Sequence, residues 1–436
     1  MKILNRYFTV CAGFLAAVWS VVAAEPGNTE PSTNAALTVD QVLRDVLQNN
    51  PSLKAARANW EAMKQRVPQA RAWEDLRAGF DTVAGRFVDI PRNSFTDQKL
   101  MVEQTVPLSG KNRLRGETAE AEAMVAFADL HRRELDVVAR GRTLFYRLGN
   151  GYEQLKINQN NTQLLERFVE ISRAKYEAGS KPESDVLIAE TDLAKLHESR
   201  ADILRQISDA ESQLNVVMNR PAQSPLARPE AMRPFTLELE LMPLQNLALT
   251  YRPELLMARK KIEASEAKLS AARREWIPDP NLRVEASRYN DASQAASEVM
   301  AGFSINLPWF NRRKYKAAIE EAKEMKAAAQ YELESARKET LGLVRDALQK
   351  AETFHHHVEL FRDRIVPLAR QNITATRLSY ETDKTGFLNL IDAQRTLQEV
   401  EAMYSNHLTD YLSALAELES VVGAEPRRAA ERQDTR

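Results

Sequence analysis

Two stretches of this sequence repeat one another about 200 residues apart, and this repeat constrains the fold more than any other feature. Residues 50–72 align without a gap on residues 252–274, and eight positions are identical. Unrelated stretches of this length would share about one or two residues by chance. Further along, residues 173–193 align on residues 377–397 at nearly the same offset. A tandem repeat of this length predicts two copies of one architectural unit.

The N-terminus has the composition of an export signal. Lys2 and Arg6 precede an apolar run that ends in small residues. We predict a signal peptide over residues 1–24 and a flexible N-terminal segment over residues 25–37; a permanent membrane anchor is the alternative. The single cysteine, Cys11, lies inside the signal, so the mature protein would have neither disulfides nor a catalytic thiolate.

The composition excludes several function classes. A net charge of −1 provides no basic field for binding nucleic acid. The low glycine and aromatic contents, 14 glycines and 7% aromatic residues, favour a helix-rich chain. The sequence has no glycine-rich phosphate loop and no recognisable catalytic constellation. We predict that the protein is not an enzyme and requires no cofactor.

Hydrophobic spacing divides the first copy, residues 38–222, into helices and strands. Period-2 alternation predicts strands over residues 79–88 and 99–107. The long stretch that follows is rich in Ala, Leu, Glu, Arg and Lys, and it predicts a long helical hairpin over residues 112–220. Residues 223–240 are predicted to link the two copies.

The second copy, residues 241–423, repeats this order. Apolar and polar residues alternate over residues 281–289 and 298–307, which predicts a second pair of strands. Residues 311–422 are predicted to form the second long helical hairpin. Residues 424–436 are predicted to be a flexible C-terminal tail.

Neither the strands nor the long helices are expected to be stable alone. Four strands from one chain are too few to close a barrel. A helix from Asn112 to Ala178 would be about 100 Å long, and Pro367 should bend its counterpart. The helices must therefore pack on other copies of the chain or on another protein. A soluble antiparallel coiled coil is the plainer alternative.

Two helix-turn-helix signatures, YEAGSKPESDVLIAE and YETDKTGFLNLIDAQ, occupy matching places in the two copies. Together with the tandem repeat and the strand pair inside each copy, they resemble the TolC family of outer-membrane efflux channels. The resemblance implies a mainly α fold with a small β part, in which the helical hairpins form an α-barrel. It also implies that each protomer of a homotrimer contributes four strands to a 12-stranded outer-membrane β-barrel.

The resemblance implies partners as well. The helices of such a channel cross the periplasm, and their turns meet a periplasmic adaptor (a membrane fusion protein) and an inner-membrane pump. The segments TVPLSGKNRLRGETAEAEA and NLPWFNRRKYKAAIEEAKE are most similar to the heavy-metal cation branch, which works with resistance-nodulation-division (RND) pumps. The expected protein is a passive exit duct in the outer membrane, in contact with lipid. A duct for drugs or other small organic molecules is one alternative, and a periplasmic coiled-coil adaptor or scaffold without a pore is another.

The turns of the two helical hairpins are the positions at which such channels touch their adaptor. The resemblance assigns these contacts to six residues of this chain: Tyr176, Gly179, Val186, Leu187, Gly386 and Leu390. Gly179 suits a helix C-terminus that needs a positive φ. The plainer reading is that the tyrosine and the glycines only shape the turns.

The same resemblance assigns a periplasmic entrance, or gate. Asp185 would bond Tyr380 in a closed state, and threefold symmetry would turn Asp392 into a ring of three carboxylates that attracts cations. Asn389 lies three residues before Asp392 on the same helical face but departs from the doubly acidic pattern of the family. Thr385 stands where the family has a gating arginine. An ordinary solvated helix position is the alternative for Asp392.

The run His355-His356-His357 is the one metal-like motif in the sequence. Successive helical residues point about 100° apart, so three of them cannot chelate one ion from a single helix. An i, i+4 pair would be the expected ligand spacing. We predict a solvated helix face here and assign no metal ligand.

Overall fold

The structure, a computed structural model, is mainly helical and contains one small sheet, as the sequence predicts. It describes residues 36–82, 96–234, 239–290 and 295–424. In the described ranges, no helix is both long enough and apolar enough to cross a membrane. Several sequence predictions fall outside those ranges: the signal peptide over 1–24, most of the segment 25–37, the second half of the strand 79–88, and nearly all of the tail 424–436.

The first copy contains two short helices, two strands and two long helices. In chain order these are α1 (Val39–Asn49), α2 (Pro51–Arg71), β1 (Arg77–Thr82), β2 (Thr96–Thr105), α3 (Lys111–Glu177) and α4 (Glu183–Val217). Helix α3 has 67 residues, which corresponds to a rod of about 100 Å. The first predicted strand, 79–88, begins two residues after the observed start of β1, and the second, 99–107, begins three residues after the start of β2.

The second copy has the same order of elements. These are α5 (Leu241–Tyr251), α6 (Pro253–Arg274), β3 (Pro280–Asn290), β4 (Ala295–Ile305), α7 (Arg312–Leu360), α8 (Val366–Glu381) and α9 (Phe387–Val422). A 3₁₀ turn precedes α7, and one π-helical turn over Phe361–Ile365 joins α7 to α8. The π turn lies just before Pro367, whose ring and missing N–H do not fit a regular helix. The corresponding part of α3 has no proline and stays α-helical.

The four strands form one antiparallel sheet in the order β1-β2-β3-β4. Strand β2 of the first copy pairs with β3 of the second, with Val102 opposite Val284. The sheet thus joins the two copies, and β1 and β4 are left as edges within the described residues. A sheet with two open edges offers unpaired backbone groups to further strands.

One face of the sheet is apolar and exposed, and the other is polar. The apolar face carries large exposed side chains, which are Phe80, Leu100, Leu282, Val284, Val299 and Phe303. On the polar face, Glu285 forms ion pairs with Lys99 and Arg283, each at 2.6 Å. An apolar face of this extent, left open to solvent in one protomer, indicates a surface that contacts another apolar phase.

The long helices pack side by side and have a succession of small cores along their length. The core nearest the hairpin turns includes Phe168 of α3, Ala189 of α4, and Tyr380 and Leu390 of α8 and α9. A second core, around Leu148 and Leu214, packs α1 on α3 and α4. Both hairpins thus share the core closest to their turns, and this sharing positions the two turns side by side.

Candidate functional site

The two hairpin turns have the same backbone geometry. In each, a backbone amide donates to the carbonyl five residues earlier, in the manner of a Schellman motif: Ser180 to Lys175 at 2.9 Å, and Lys384 to Ser379 at 2.8 Å. The motif needs one residue in the left-handed region. Gly179 fills it in the first turn with φ of 68°, and Asp383 fills it in the second with φ of 58°.

Lys175 of α3 connects the first turn to the second. Its Nζ donates to the backbone carbonyl of Tyr380 at 2.9 Å and to Oδ1 of Asp383 at 2.8 Å. Lys181 lies 3.3 Å from the same carboxylate. The hydrogen bonds from these two lysines hold the pKa of Asp383 below its ordinary value. The carboxylate is available because an aspartate, rather than a glycine like Gly179, occupies the left-handed position.

Tyr380 lies directly beneath this ion cluster. Its side chain is fully buried, with the ring centroid 4.8 Å from Nζ of Lys175 and 5.4 Å from the ring of Phe387. Burial and the nearby carboxylates of Asp185 and Asp383 raise the pKa of Tyr380 to about 12. The hydroxyl has no hydrogen-bond partner in the part of the chain that the structure describes. An unpaired buried hydroxyl costs about 1–3 kcal/mol.

The Asp185–Tyr380 bond implied by the family resemblance is therefore not formed between the described atoms of one protomer. Burial raises the pKa of Asp185, and the charge of Lys181 partly offsets that rise. The two groups are close enough for the charge of Asp185 to act on the hydroxyl of Tyr380. They belong to one electrostatic cluster without a direct hydrogen bond.

The six residues assigned to adaptor contact divide into two groups. Tyr176 and Leu187 are exposed, at 43% and 55% of their full surface, and Gly179 and Gly386 are open to solvent as well. The remaining two side chains are buried: Val186 and Leu390. Buried side chains hold the helices together, so neither of these two reaches the protomer surface on which an adaptor would bind.

Asn389 and Asp392 lie together on an exposed face of α9, as their spacing requires. The side chain of Asp392 is 69% exposed and has Nη1 of Arg395 at 3.6 Å. Arg395 also pairs with both carboxylate oxygens of Asp192 on α4, at 3.0 Å each through Nε and Nη2. Asn389 donates to the hydroxyl of Thr385 at 2.8 Å. The carboxylate of Asp392 is thus accompanied by a cation.

The sequence suggests a division of roles between the hairpins where Asp383 replaces Gly179, but it did not reveal the contacts that join them, which involve Lys175, Lys181, Asp383, Asp192 and Arg395. One signal was available, since Asp383 aligns with Gly179 at a position that favours glycine. An aspartate at a left-handed position where glycine would fit without strain indicates that its side chain makes a contact. The lysines carried no comparable signal, because lysine is common in exposed helix ends and turns.

The three histidines of the run point to different neighbours. The ring of His355 lies 5.1 Å from Tyr411, and that of His357 lies 4.8 Å from His407. His356 is exposed, as the prediction of a solvated face requires, whereas His355 and His357 are only half-exposed and contact side chains of α9. The described residues contain no group of three or more His, Cys, Asp or Glu side chains placed to hold a metal ion.

Comparison with known proteins places this architecture in a defined group. A family model described as outer membrane efflux protein matches residues 42–220 and 244–424, which together make up most of the chain. The two matched ranges coincide with the two copies of the structural repeat.

Two relatives match along nearly the whole chain. The toluene efflux pump outer membrane protein TtgC of Pseudomonas putida is 24% identical over 401 residues, covering 86% of this chain and 80% of that protein. The cobalt-zinc-cadmium resistance protein CzcC of Cupriavidus metallidurans is 22% identical over 399 residues, covering 89% and 90% respectively. Among solved structures, the outer membrane protein VceC of Vibrio cholerae shares the fold, with a TM-score of 0.73 at 18% identity, covering 88% of this chain and 96% of that one.

Proposed function

The chain belongs to the outer membrane efflux protein family, a family of channels rather than enzymes, and we propose that it is the exit duct for heavy-metal cations in a tripartite efflux system. It supplies a passage through the outer membrane, while an RND-type pump in the inner membrane supplies the energy. The observation that carries this proposal is the coincidence of the family match with both structural repeats. A soluble adaptor would have no use for an exposed apolar sheet built jointly by the two copies.

The functional unit is a homotrimer in this proposal. The sheet of one protomer ends in β1 on one side and β4 on the other, so three copies can pair edge to edge and satisfy the open backbone groups. The apolar face of each sheet then lies against lipid, and the polar face with Glu285 lies toward the passage. The six helical hairpins of three chains surround the tunnel below the sheet.

The paired hairpin turns form the entrance, and an adaptor docks on their exposed side chains. Tyr176 and Leu187 beside the first turn, and Leu388 beside the second, are exposed apolar side chains, which suits contact with a partner protein. The bonds from Lys175 to the second turn hold the two hairpins of a protomer together. Opening the entrance therefore requires either the breaking of this link or the movement of both hairpins as one body.

The proposal of a metal cargo rests on the entrance and on one relative. Asp392 is exposed on α9, and three copies of it around a threefold axis would attract cations. CzcC, a cobalt-zinc-cadmium resistance protein, aligns with this chain over most of both lengths. Organic molecules are the second candidate cargo, because TtgC, a toluene efflux pump outer membrane protein, aligns about as well.

Two experiments test the proposal separately. Membrane fractionation with heated and unheated gel samples should find a heat-modifiable trimer in the outer membrane; a soluble monomer in the periplasm would contradict the duct. A strain that lacks the gene should grow less well on cobalt, zinc or cadmium salts, and the intact gene should restore growth. If the strain without the gene is sensitive only to organic compounds, the proposed cargo changes from metal cations to organic molecules, and the proposed duct is unaffected.

A further inference from the structure

The two copies differ sharply at the point where strands give way to long helices. The segment 107–115, PLSGKNRLR, matches the segment 308–316, PWFNRRKYK, at a constant offset. Both segments carry several cations, but their surroundings differ. We call the four cations of the second segment the basic collar; they are Arg312, Arg313, Lys314 and Lys316.

In the first copy the corresponding cations are neutralised within the protomer. Lys111 is buried and lies 2.9 Å from a carboxylate oxygen of Asp279. Arg113 pairs with Glu117 at 2.5 Å. Arg115, the third cation, lies 4.0 Å from a glutamate carboxylate. The cations of the first copy therefore all have carboxylate partners within the protomer: Glu117 in the same copy, and Asp279 and Glu275 in the second copy.

The basic collar has no such partners. All four of its side chains are exposed, and none forms an ion pair or a side-chain hydrogen bond with another described residue. Lys314 has only the face of Tyr315 beside it, 5.6 Å from Nζ to the ring centroid. Four cations on five consecutive positions repel one another unless an anion lies between them.

Their place on the helix adds to this imbalance. Arg312 is the first residue of α7, and the first turn of that helix contains no acidic residue. A helix N-terminus carries a partial positive charge, so cations there are unfavourable and anions are favourable. No described carboxylate forms an ion pair with the basic collar, so an anion paired with it would come from outside the protomer.

Exposed aromatic side chains lie immediately before the collar. Trp309 and Phe310 are 45% and 88% exposed, whereas the first copy has Leu108 and Ser109 at the same places. They follow β4, whose apolar face ends in the exposed residues Phe303 and Ile305. The apolar sheet, the aromatic residues and the cations thus follow one another along the chain. Their order matches the layers of a membrane, which are the acyl chains, the interface and the headgroups.

We propose that the basic collar and the two aromatic residues before it bind the headgroups of anionic phospholipids in the periplasmic leaflet of the outer membrane. The collar lies at the helical end of the sheet, which faces the periplasm in the proposed orientation, so its ligand is a glycerophospholipid of that leaflet. The phosphate lies among the cations, and Trp309 and Phe310 contact the upper acyl chains. The first copy lacks this site because its cations are already paired.

Native mass spectrometry of the purified trimer in a nonionic detergent tests this lipid site. We expect the trimer to bind short-chain phosphatidylglycerol at least about tenfold more tightly than the matching phosphatidylcholine, at low salt. Each collar cation near a lipid surface contributes about a fivefold change in affinity. Lys316→Gln alone should therefore weaken phosphatidylglycerol binding about fivefold, and replacing all four collar residues by glutamine should abolish the preference.

The matched control removes the same number of exposed cations further along α7: Lys323, Arg337, Lys338 and Arg345, each to glutamine. It should keep the preference for phosphatidylglycerol. Phe310→Ser should weaken binding of the lipid, and inorganic phosphate should displace the lipid no more than chloride does at equal ionic strength, because the site also requires acyl-chain contact. Stronger displacement by inorganic phosphate than by chloride would identify a free-phosphate site instead and overturn the proposal.

Three further results would also overturn it. These are equal affinity of the natural protein for the two lipids, an equal loss in the control, and dissociation of the collar variant into monomers in lipid-free detergent. The last result would assign the cations to ion pairs with a neighbouring protomer. Lipid binding is measured without pump, adaptor or cargo, so failure here would leave the duct itself unaffected.

Discussion

The two hairpin turns have one backbone geometry and different side-chain roles. Both turns close with the same bond pattern and place one residue in the left-handed region, Gly179 in one and Asp383 in the other. The first turn contributes the donor Lys175, and the second contributes the acceptors, which are the carboxylate of Asp383 and the carbonyl of Tyr380. The duplicated unit thus kept its fold while its copies became complementary.

The same division occurs at the other end of the helices. There the cations of the first copy pair with carboxylates of the same protomer, whereas Arg312 and its neighbours in the second copy are exposed. In both places equivalent positions of the two copies carry different side chains. One of these differences lies where the two hairpins meet, and the other lies where we propose a lipid contact.

The largest expected effect concerns Tyr380 beside the second turn, which is fully buried, whereas its counterpart beside the first turn, Tyr176, is exposed. Tyr380→Ala should destabilise the helical end of the trimer by about 3–5 kcal/mol, because it empties a fully buried aromatic site. Thermal unfolding of the purified trimer, followed by circular dichroism, measures the change.

Tyr380→Phe is the matched control for that substitution. It removes only the hydroxyl, which has no partner among the described residues, so stability should stay within about 0.5 kcal/mol of the natural protein or rise. A loss of more than about 1 kcal/mol would mean that a neighbouring protomer supplies a partner for the hydroxyl.

The second prediction makes the two turns alike. Asp383→Gly gives the second turn the residue of the first and removes the carboxylate that Lys175 and Lys181 share. Channel conductance in planar bilayers should rise several-fold, since the entrance loses its charged link while the positive φ is kept. Asp383→Asn retains an acceptor and should give an intermediate conductance; an unchanged conductance in both variants would remove this link from the gate.

The link should also respond to pH in one direction. The two lysines hold the pKa of Asp383 below its ordinary value, which is about 3.9. The charged link is therefore complete above that value and is lost as the pH falls through the lowered pKa. Conductance of the natural protein should stay low from neutral pH down to about pH 4 and rise only below it, and Asp383→Gly should abolish this step.

The third prediction concerns Asp392, whose place in the first copy is taken by Ile188. Asp392→Ala should lower the block of single-channel conductance by divalent and trivalent cations, because it removes the carboxylates of the proposed ring. The effect should be moderate, because Nη1 of Arg395 lies 3.6 Å from the Asp392 carboxylate of the same protomer and offsets part of its charge. Asn389→Ala on the same face is the control and should leave the block unchanged; an unchanged block in Asp392→Ala would remove the ring.

The smallest expected effect concerns the glycines of the two turns. Gly179→Ala should cost about 1 kcal/mol, because an L-residue with φ of 68° is strained although the space around it is open. Gly386→Ala should be close to neutral, since Gly386 has φ of −82° and also faces open space. Thermal unfolding of both variants decides the comparison, and equal costs would show that the left-handed position is not the source of the strain.

The sequence by itself determined the repeat, the element order and the family. Period-2 and helical spacing depend on neighbours along the chain, so the strands near Val102 and Val284 and the helix from Lys111 to Glu177 could be predicted to within a few residues. The spacing of Asn389 and Asp392 likewise placed both on one face before the structure was known. The element type and the helical face of a residue depend on neighbours along the chain, so the sequence pattern is sufficient to predict them.

Only the tertiary structure decided which residues meet. Lys175 and Asp383 are 208 positions apart, and Asp192 and Arg395 are 203 apart, so no pattern along the chain relates them. The burial of Leu390, and the lack of a partner for the Tyr380 hydroxyl among the described residues, could not be predicted either, because each depends on what the other hairpin places against it. Side-chain pairing across two packed helices is a property of their arrangement in space, and the repeat only guaranteed that two similar helices would be there to pack.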